Sequence, residues 1–176
     1  MRKIRLFIAM SLDGYIADRS GRVDWLNGQG NDDETIDTYS EFVKNIDTVL
    51  MGWNTYNQIV TELSPEKWVY DDFITYVITH KEISSCEKIR FTNTSPVNLV
   101  KKLKQENGKD IWICGGATIV QQLVNENLID YYQITIIPIL LGAGIRLFES
   151  MESKINLKLL ATQSYNGMVD LTYAGK

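Results

Sequence analysis

The chain has one histidine, His80, two cysteines and three prolines among its 176 residues, and each scarcity removes a class of chemistry. A single histidine leaves no histidine-rich metal centre. With no G-x-S-x-G present, a Ser–His–Asp hydrolase lacks both its nucleophile turn and a choice of base. Cys86 and Cys114 stand in different contexts without metal-ligand spacing, and Cys114, at the end of an apolar run, reads as a small core residue. No apolar run approaches the roughly 18 residues of a membrane span. The basic start Met1–Arg5 leads into an apolar stretch that stops at Asp13, too short for a signal peptide and without its cleavage site. Formal net charge is −4 and the lysines and arginines are scattered, so no basic stripe marks a nucleic-acid surface. The expectation is a cytoplasmic protein with no metal and no membrane or nucleic-acid partner.

What is present is an ordinary globular composition, 44% hydrophobic and 23% charged, with no linker or repeat, so residues 1–176 read as a single domain. Lys3 to Met10 reads as a buried strand, and Ser11 to Asp33, rich in glycine, aspartate and asparagine, as a long loop of the kind that usually carries function. Residues 34 to 45 set Ile36, Tyr39, Val43 and Ile46 on one helical face. Thr48–Gly52 is a second strand, followed by a helix for which Asn54 is the predicted N-cap. Strands are predicted at Phe73–Thr79 and Lys88–Thr92. Ser95-Pro96 starts a helix that Gly108 closes, and Asp130–Pro138 is a further β run. Ile155–Tyr165 and Met168–Tyr173 alternate about Asn166-Gly167, a strong hairpin signal. This order predicts a three-layer α/β domain, with a mostly parallel central sheet, helices on both faces and a C-terminal antiparallel hairpin.

The most informative stretch is Ile111-Trp112-Ile113-Cys114-Gly115-Gly116-Ala117-Thr118-Ile119-Val120. A buried strand turns through two glycines directly into a helix bearing Ile119, Val120, Leu123 and Val124. Bare glycine backbone and a helix N-terminus together suit an anion such as a pyrophosphate. Met51-Gly52-Trp53-Asn54-Thr55 repeats the pattern, and Thr79-His80-Lys81 ends another strand. In a parallel sheet these ends share one edge, where ligands usually bind. Singly, each is equally well a helix cap or a solvated charge. The usual nucleotide fingerprints, G-x-G-x-x-G near the first strand and G-x-x-x-x-G-K-[ST], are absent.

Taken in order, Ser11-Leu12-Asp13-Gly14-Tyr15-Ile16-Ala17, Met51-Gly52-x-x-Thr55-Tyr56, Gly115-Gly116-Ala117, Leu128-Ile129-Asp130 and Pro138-Ile139-Leu140-Leu141-Gly142-x-Gly144 resemble the dihydrofolate reductase-like superfamily. The set is most similar to the reductase domain of bifunctional riboflavin-biosynthesis deaminase-reductases and their stand-alone relatives. The resemblance implies an NADPH-dependent reductase. It implies Ala9 and Ile16 beside the nicotinamide, Gly52, Trp53, Asn54 and Thr55 at the phosphates and adenine, and Thr79, His80 and Lys81 at the adenosine ribose and its 2′-phosphate. It implies Gly115, Gly116, Ala117, Thr118 and Ile119 at the pyrophosphate and nicotinamide end. Folate reductases usually carry arginine at the position of Trp53, and a tryptophan stacks on adenine but neutralises no phosphate. NADPH preference then rests on Lys81 and His80, and NADH stays open. Relatives often pair as homodimers, for which the Ile134–Ile137 strand is either interface or core.

For a proton donor the resemblance implies a carboxylate on the first helix. Asp32, Asp33, Glu34 and Asp37 lie there, and Asp33 is the candidate that would face inward, against the simpler reading that each acid complements the helix N-terminus. Ser11 and Asp13 are candidate substrate contacts, Asp13-Gly14 being equally a turn. Trp25 is either a substrate wall or a loop anchor. The implied activity is reduction of a phosphoribosylamino-pyrimidine of riboflavin synthesis, or of another small heterocyclic or ribosylamino substrate. The deaminase motifs H-x-E and P-C-x-x-C are absent, and a phosphorylated substrate finds only Arg19 and Arg22 in the Ser11–Asp33 loop. Dihydrofolate reduction itself and a non-catalytic NADPH-binding protein are the rival readings.

Overall fold

The computed structural model describes residues 1–30, 36–151 and 153–175. In chain order the elements are β1 (Ile4–Ser11), β2 (Tyr15–Ala17), α1 (Thr38–Val43), β3 (Ile46–Gly52), α2 (Trp53–Gln58, extended by a π-helical turn Ile59–Leu63), β4 (Ile74–Ile78), β5 (Ile89–Thr92) and α3 (Pro96–Leu103). β6 (Asp110–Gly115), α4 (Ala117–Asn125), β7 (Tyr131–Ile137), β8 (Ile145–Arg146), β9 (Leu157–Tyr165) and β10 (Met168–Gly175) follow. Among the described residues eight strands form one sheet in the order β5-β4-β3-β6-β1-β7-β10-β9. All neighbours from β5 to β7 are parallel, and β10 runs antiparallel to both β7 and β9.

Alternation along the strands builds a core on each face. Ile4, Leu6, Leu50, Ile111 and Ile113 pack under α3 and α4, which contribute Leu99, Val100, Leu103, Ile119, Val120, Leu123 and Val124. On the other face Val49, Met51, Val77 and Trp112 pack with Phe42 of α1 and Ile59. Each such side chain, fully buried, contributes roughly 1.5–3 kcal/mol before entropy is charged against it. The expected three-layer architecture is therefore the one observed.

Local departures have local causes. Ser95 caps α3 as expected, accepting from Asn98 N–H at 3.3 Å, but the helix ends at Leu103 and Gly108 belongs to the following turn. The N-cap of α2 is Gly52, not Asn54, because β3 passes into the helix without a loop. The first helix is shorter than its apolar spacing implied: Phe42 is its buried residue, Ile36 and Tyr39 are exposed, and Ile46 already belongs to β3. The long loop after β1 contains β2, which pairs with β8 in a separate two-stranded sheet. Asn166 and Gly167 both have positive φ, 46° and 73°, as a two-residue hairpin of matching twist requires. β7 lies inside the sheet between β1 and β10, with Ile134 and Ile137 buried, so that apolar strand is core.

Candidate active site

A parallel sheet delivers the carboxyl ends of its strands to one edge. β1 ends there at Ser11, β3 at Gly52, β4 at Ile78 and β6 at Gly115, with β6 between β3 and β1. Gly52 and Gly116 are the N-caps of α2 and α4, both in extended conformation, and neither helix start receives a side-chain cap. In α4 the Ile119 N–H already donates to Gly116 O at 3.0 Å, but the first N–H groups of a helix otherwise have no partner within it, so the two starts present bare donors side by side. Their spacing is tight. A Cβ at Gly52 would stand 3.3 Å from Ile119 Cδ1, and Cβ atoms at Gly115 (φ +142°) and Gly116 would stand 3.5 and 3.6 Å from Thr55 Oγ1. The Gly115–Gly116 peptide is cis. Asn54 and Thr118, in the first turns of the two helices, are exposed, and Ala117 is half-buried. Three glycines, Thr55 and Ile119 thus form one surface of nearly bare backbone.

Beyond β4, buried Thr79 donates its N–H to Thr92 O at 2.9 Å and accepts Lys81 N–H on its hydroxyl at 3.1 Å. That turn carries Lys81 back over α2, where its Nζ lies 3.9 Å from the centre of the Trp53 ring. Trp53 leans on Tyr56 with ring centres 5.6 Å apart. His80 is exposed on the same turn.

On the other side of the edge, the Ser11 hydroxyl donates to Asp13 Oδ1 at 2.6 Å and accepts Tyr15 N–H at 2.9 Å. Asp13 also accepts the N–H groups of Leu141 at 3.1 Å and Gly142 at 2.7 Å. The Ser11 hydroxyl above all, then these N–H groups, hold its carboxyl below the usual aspartate value. Both side chains join the loop after β1 to the loop after β7. Ile16 packs on the core. The segment after β2 then spans the edge: Gln58 Nε2 donates to Gly21 O at 2.9 Å, and Gln29 N–H donates to Asn166 O at 2.9 Å. Trp25 lies half-buried on this strap, its indole N–H donating to Arg22 O at 3.1 Å. Asp33 lies outside the described residues. Asp37 is the N-cap of α1, accepting Ser40 N–H at 2.9 Å.

The α1 face of the sheet carries an aromatic wall. Phe7 stacks on Phe42 at 4.4 Å, Trp112 meets both edge-on, and Tyr70 meets Trp112 at 5.1 Å. The Cys114 thiol donates to Tyr70 Oη at 3.6 Å. Burial pushes the thiol up to about 11 and drives the Tyr70 phenol well above its ordinary value. On the same face of the sheet, two strands away from β1, lies a buried acid that the sequence reading did not single out. Asp170 on β10, 2% exposed, accepts Thr135 Oγ1 at 2.5 Å on Oδ1, Gln163 Nε2 at 3.2 Å on Oδ2, and the Tyr165 hydroxyl at 3.3 Å on both. Its signal in sequence was an acid at an inward position of an alternating strand. Among the described residues no three or more His, Cys, Asp or Glu side chains group as a metal site, and no helix is long and apolar enough to cross a membrane.

Comparison with known proteins agrees with this geometry. Residues 2–170 match the family of the RibD C-terminal domain. The chain is 38% identical over 178 residues to the uncharacterized protein YwjB of Bacillus subtilis (strain 168), covering 98% of this chain and 97% of that one. A putative riboflavin biosynthesis protein from Shewanella sp. PV-4 superposes with a TM-score of 0.85 at 28% identity, covering 99% of each chain. A dihydrofolate reductase from Enterococcus faecalis, solved with NADP(H) and RAB-propyl, shares the fold with a TM-score of 0.70 at 16% identity, over 99% of this chain and 96% of that one. Matched over nearly its whole length and arranged on a dihydrofolate reductase-like sheet, the chain belongs to the RibD C-terminal domain family.

Proposed function

We propose that this protein is an NADPH-dependent reductase of the riboflavin-biosynthesis type, transferring hydride to a small nitrogen heterocycle or its ribosylamino derivative. The observation that carries this reading is the junction of Gly52, Gly115, Gly116 and Thr55 with two uncapped helix starts. Unpaired N–H groups, two positive dipole ends and no intervening side chain suit a pyrophosphate. In this reading Gly52–Thr55 and Gly115–Ile119 hold the pyrophosphate, while Thr79, His80 and Lys81 take the adenosine end. Ala9 and Ile16 flank the nicotinamide. The Lys81 ammonium, stationed over Trp53, supplies the positive charge that a 2′-phosphate needs. Bound there, NADPH supplies the hydride, and the chain supplies orientation and exclusion of water. The Shewanella relative and the NADP(H) complex of the Enterococcus reductase support the reading by family and by fold.

The test is titration with NADPH and NADH, following quenching of tryptophan fluorescence and energy transfer to the nicotinamide. Saturable quenching by NADPH, with weaker binding of NADH, is expected. Absence of binding by either dinucleotide would remove the proposal and leave the fold.

A further inference from the structure

The opposite edge of the sheet, where the parallel strands begin, carries a cleft that the reductase reading does not use. It holds about 350 Å³ between the end of α3 and the strands β3, β4 and β5. Thr48 pairs with Ile74, Leu50 with Tyr76, and Tyr76 with Arg90. Directly paired residues point to the same face of a sheet, and Leu50 and Tyr76 belong to the core under α3, so this row lies on the α3 face. Thr48 stands four residues before Gly52 on β3, roughly 13 Å along an extended strand. The cleft is therefore separate from the glycine junction.

Its inner wall is a buried cation. Arg2, 5% exposed, donates from Nε to Lys109 O at 2.6 Å, and from Nη2 to Asp47 and, at 2.6 Å, to Thr48 Oγ1. Asp47 is already occupied on both oxygens, by the Thr48 hydroxyl at 2.8 Å and the Lys109 N–H at 2.7 Å. Gly108 closes over the pair, since a Cβ there would stand 3.1 Å from Arg2 Cζ and 2.6 Å from Asp47 Oδ2. The guanidinium is thus held rigidly. Its Nη1 has no protein partner and is not among the polar atoms sealed from solvent, so its N–H groups open on the cleft that Arg2 lines.

The outer wall is cationic too. Arg90 donates to Tyr76 Oη at 2.7 Å, with its guanidinium carbon 5.4 Å from the centre of that ring. Lys88 precedes it on the same edge strand. Charges on an edge strand discourage pairing with other chains, but these two share a cleft with the fixed donor of Arg2. Asp72 and Glu106 complete the polar lining, Glu106 just beyond the end of α3, where the helix dipole is negative. Among the described residues none of Lys88, Arg90, Asp72 and Glu106 takes part in an ion pair. Ile74, the Tyr76 ring and Leu103 supply apolar surface between them. A ligand of one sign would meet like charge across part of this lining.

We propose that the cleft binds a small zwitterion, an α-amino acid with an apolar side chain. Its carboxylate takes the free N–H groups of Arg2 and the charge of Arg90. Its ammonium faces Glu106 and the end of α3, and its side chain rests on Ile74, Tyr76 and Leu103. A charge-assisted bond to a guanidinium already fixed by Asp47, Thr48 and Gly108 costs little ordering. The site stands independently of the reductase reading.

The probe is L-leucine, titrated by ligand-observed NMR into wild type, Arg90→Gln and Glu106→Gln. Two half-ligands dissect the recognition: 4-methylpentanoate, which lacks the ammonium, and 3-methylbutylamine, which lacks the carboxylate. Wild type is expected to bind leucine about tenfold or more above either half-ligand. Each variant is expected to weaken leucine roughly threefold or more, and saturating NADPH to leave it in place. Arg2 also anchors the first strand and is left unchanged, while the substituted positions are exposed, and thermal unfolding checks that both variants fold. No binding of leucine by wild type, a half-ligand bound as well as leucine, or unchanged binding in either variant would each overturn the proposal. Displacement of leucine by NADPH would move it to the cofactor edge and overturn the separate site.

Discussion

Lys81 is the place where the cofactor reading meets a number. Its ammonium lies 3.9 Å from the centre of the Trp53 ring, on a turn fixed by Thr79. A 2′-phosphate brought within about 4 Å would gain about 1 kcal/mol per unit charge in bulk water and about 4 kcal/mol at the effective dielectric of a protein surface. Lys81 is exposed, so solvent and salt place the expected loss for Lys81→Ala near the lower figure, about 1–2 kcal/mol, or roughly 5- to 30-fold in NADPH affinity. NADH lacks that phosphate, and its affinity should change little. Trp53→Leu removes the platform but not the charge. The cation–π contact at an exposed site is worth about 0.5–1 kcal/mol, so the NADPH loss should be about two- to fivefold. The assay is paired fluorescence titration of both dinucleotides at low and high ionic strength. At about 1 M salt the screening length falls to about 3 Å and the preference for NADPH should collapse. Equal weakening of NADPH and NADH by Lys81→Ala, or a preference indifferent to salt, would refute the assignment of the phosphate to this turn.

Three further outcomes follow from the geometry. Thr55→Val removes the hydroxyl facing Gly115 and Gly116 and should weaken NADPH and NADH alike, by about 0.5–1.5 kcal/mol each, measured in the same titration. Asp13→Asn should lower the melting temperature at neutral pH. The Asp13 carboxyl is depressed in the fold by Ser11 and the Leu141 and Gly142 N–H groups, so its contribution is present above the unfolded value of about 3.9 and is lost as pH falls through the lower folded value. The difference between variant and wild type should therefore shrink in melts below that pH, and a constant difference from pH 7 to 3 would contradict the clamp. With its thiol pushed up to about 11 by burial, Cys114 should resist iodoacetamide at pH 8 while exposed Cys86 reacts. One thiol should be modified per native chain and two in denaturant.

The fold was largely legible because its signals are local. Apolar runs ending in glycine marked β3 and β6, Ser95-Pro96 marked α3, and Asn166-Gly167 marked the hairpin. The misplacements arose where tertiary packing overrides a local signal. Asn54 is a better intrinsic cap than glycine, yet Gly52 holds that place because β3 needs no loop before α2. Ile36, Tyr39, Val43 and Ile46 make a plausible helical stripe, but β3 claims Ile46 and Phe42 takes the buried position. The pair β2–β8 was illegible because three residues answering two, across a long separation, leave no periodic trace.

The site divides in the same way. The glycine junctions proposed to hold the cofactor are strand-to-helix turns, each complete within a few consecutive residues and therefore visible in sequence. Lateral register leaves no such trace: Ala9, Thr135, Asp170 and Gln163 form a row only because β10 returns antiparallel beside β7. A search for an acid along the first helix follows chain order, whereas the α1 face of the sheet is reached equally from the last strand. Asp37, an obvious candidate by position, is consumed as the cap of α1. Asp170 carries no local signal beyond its place on an alternating strand, and its burial among hydroxyl and amide donors is what sets it apart.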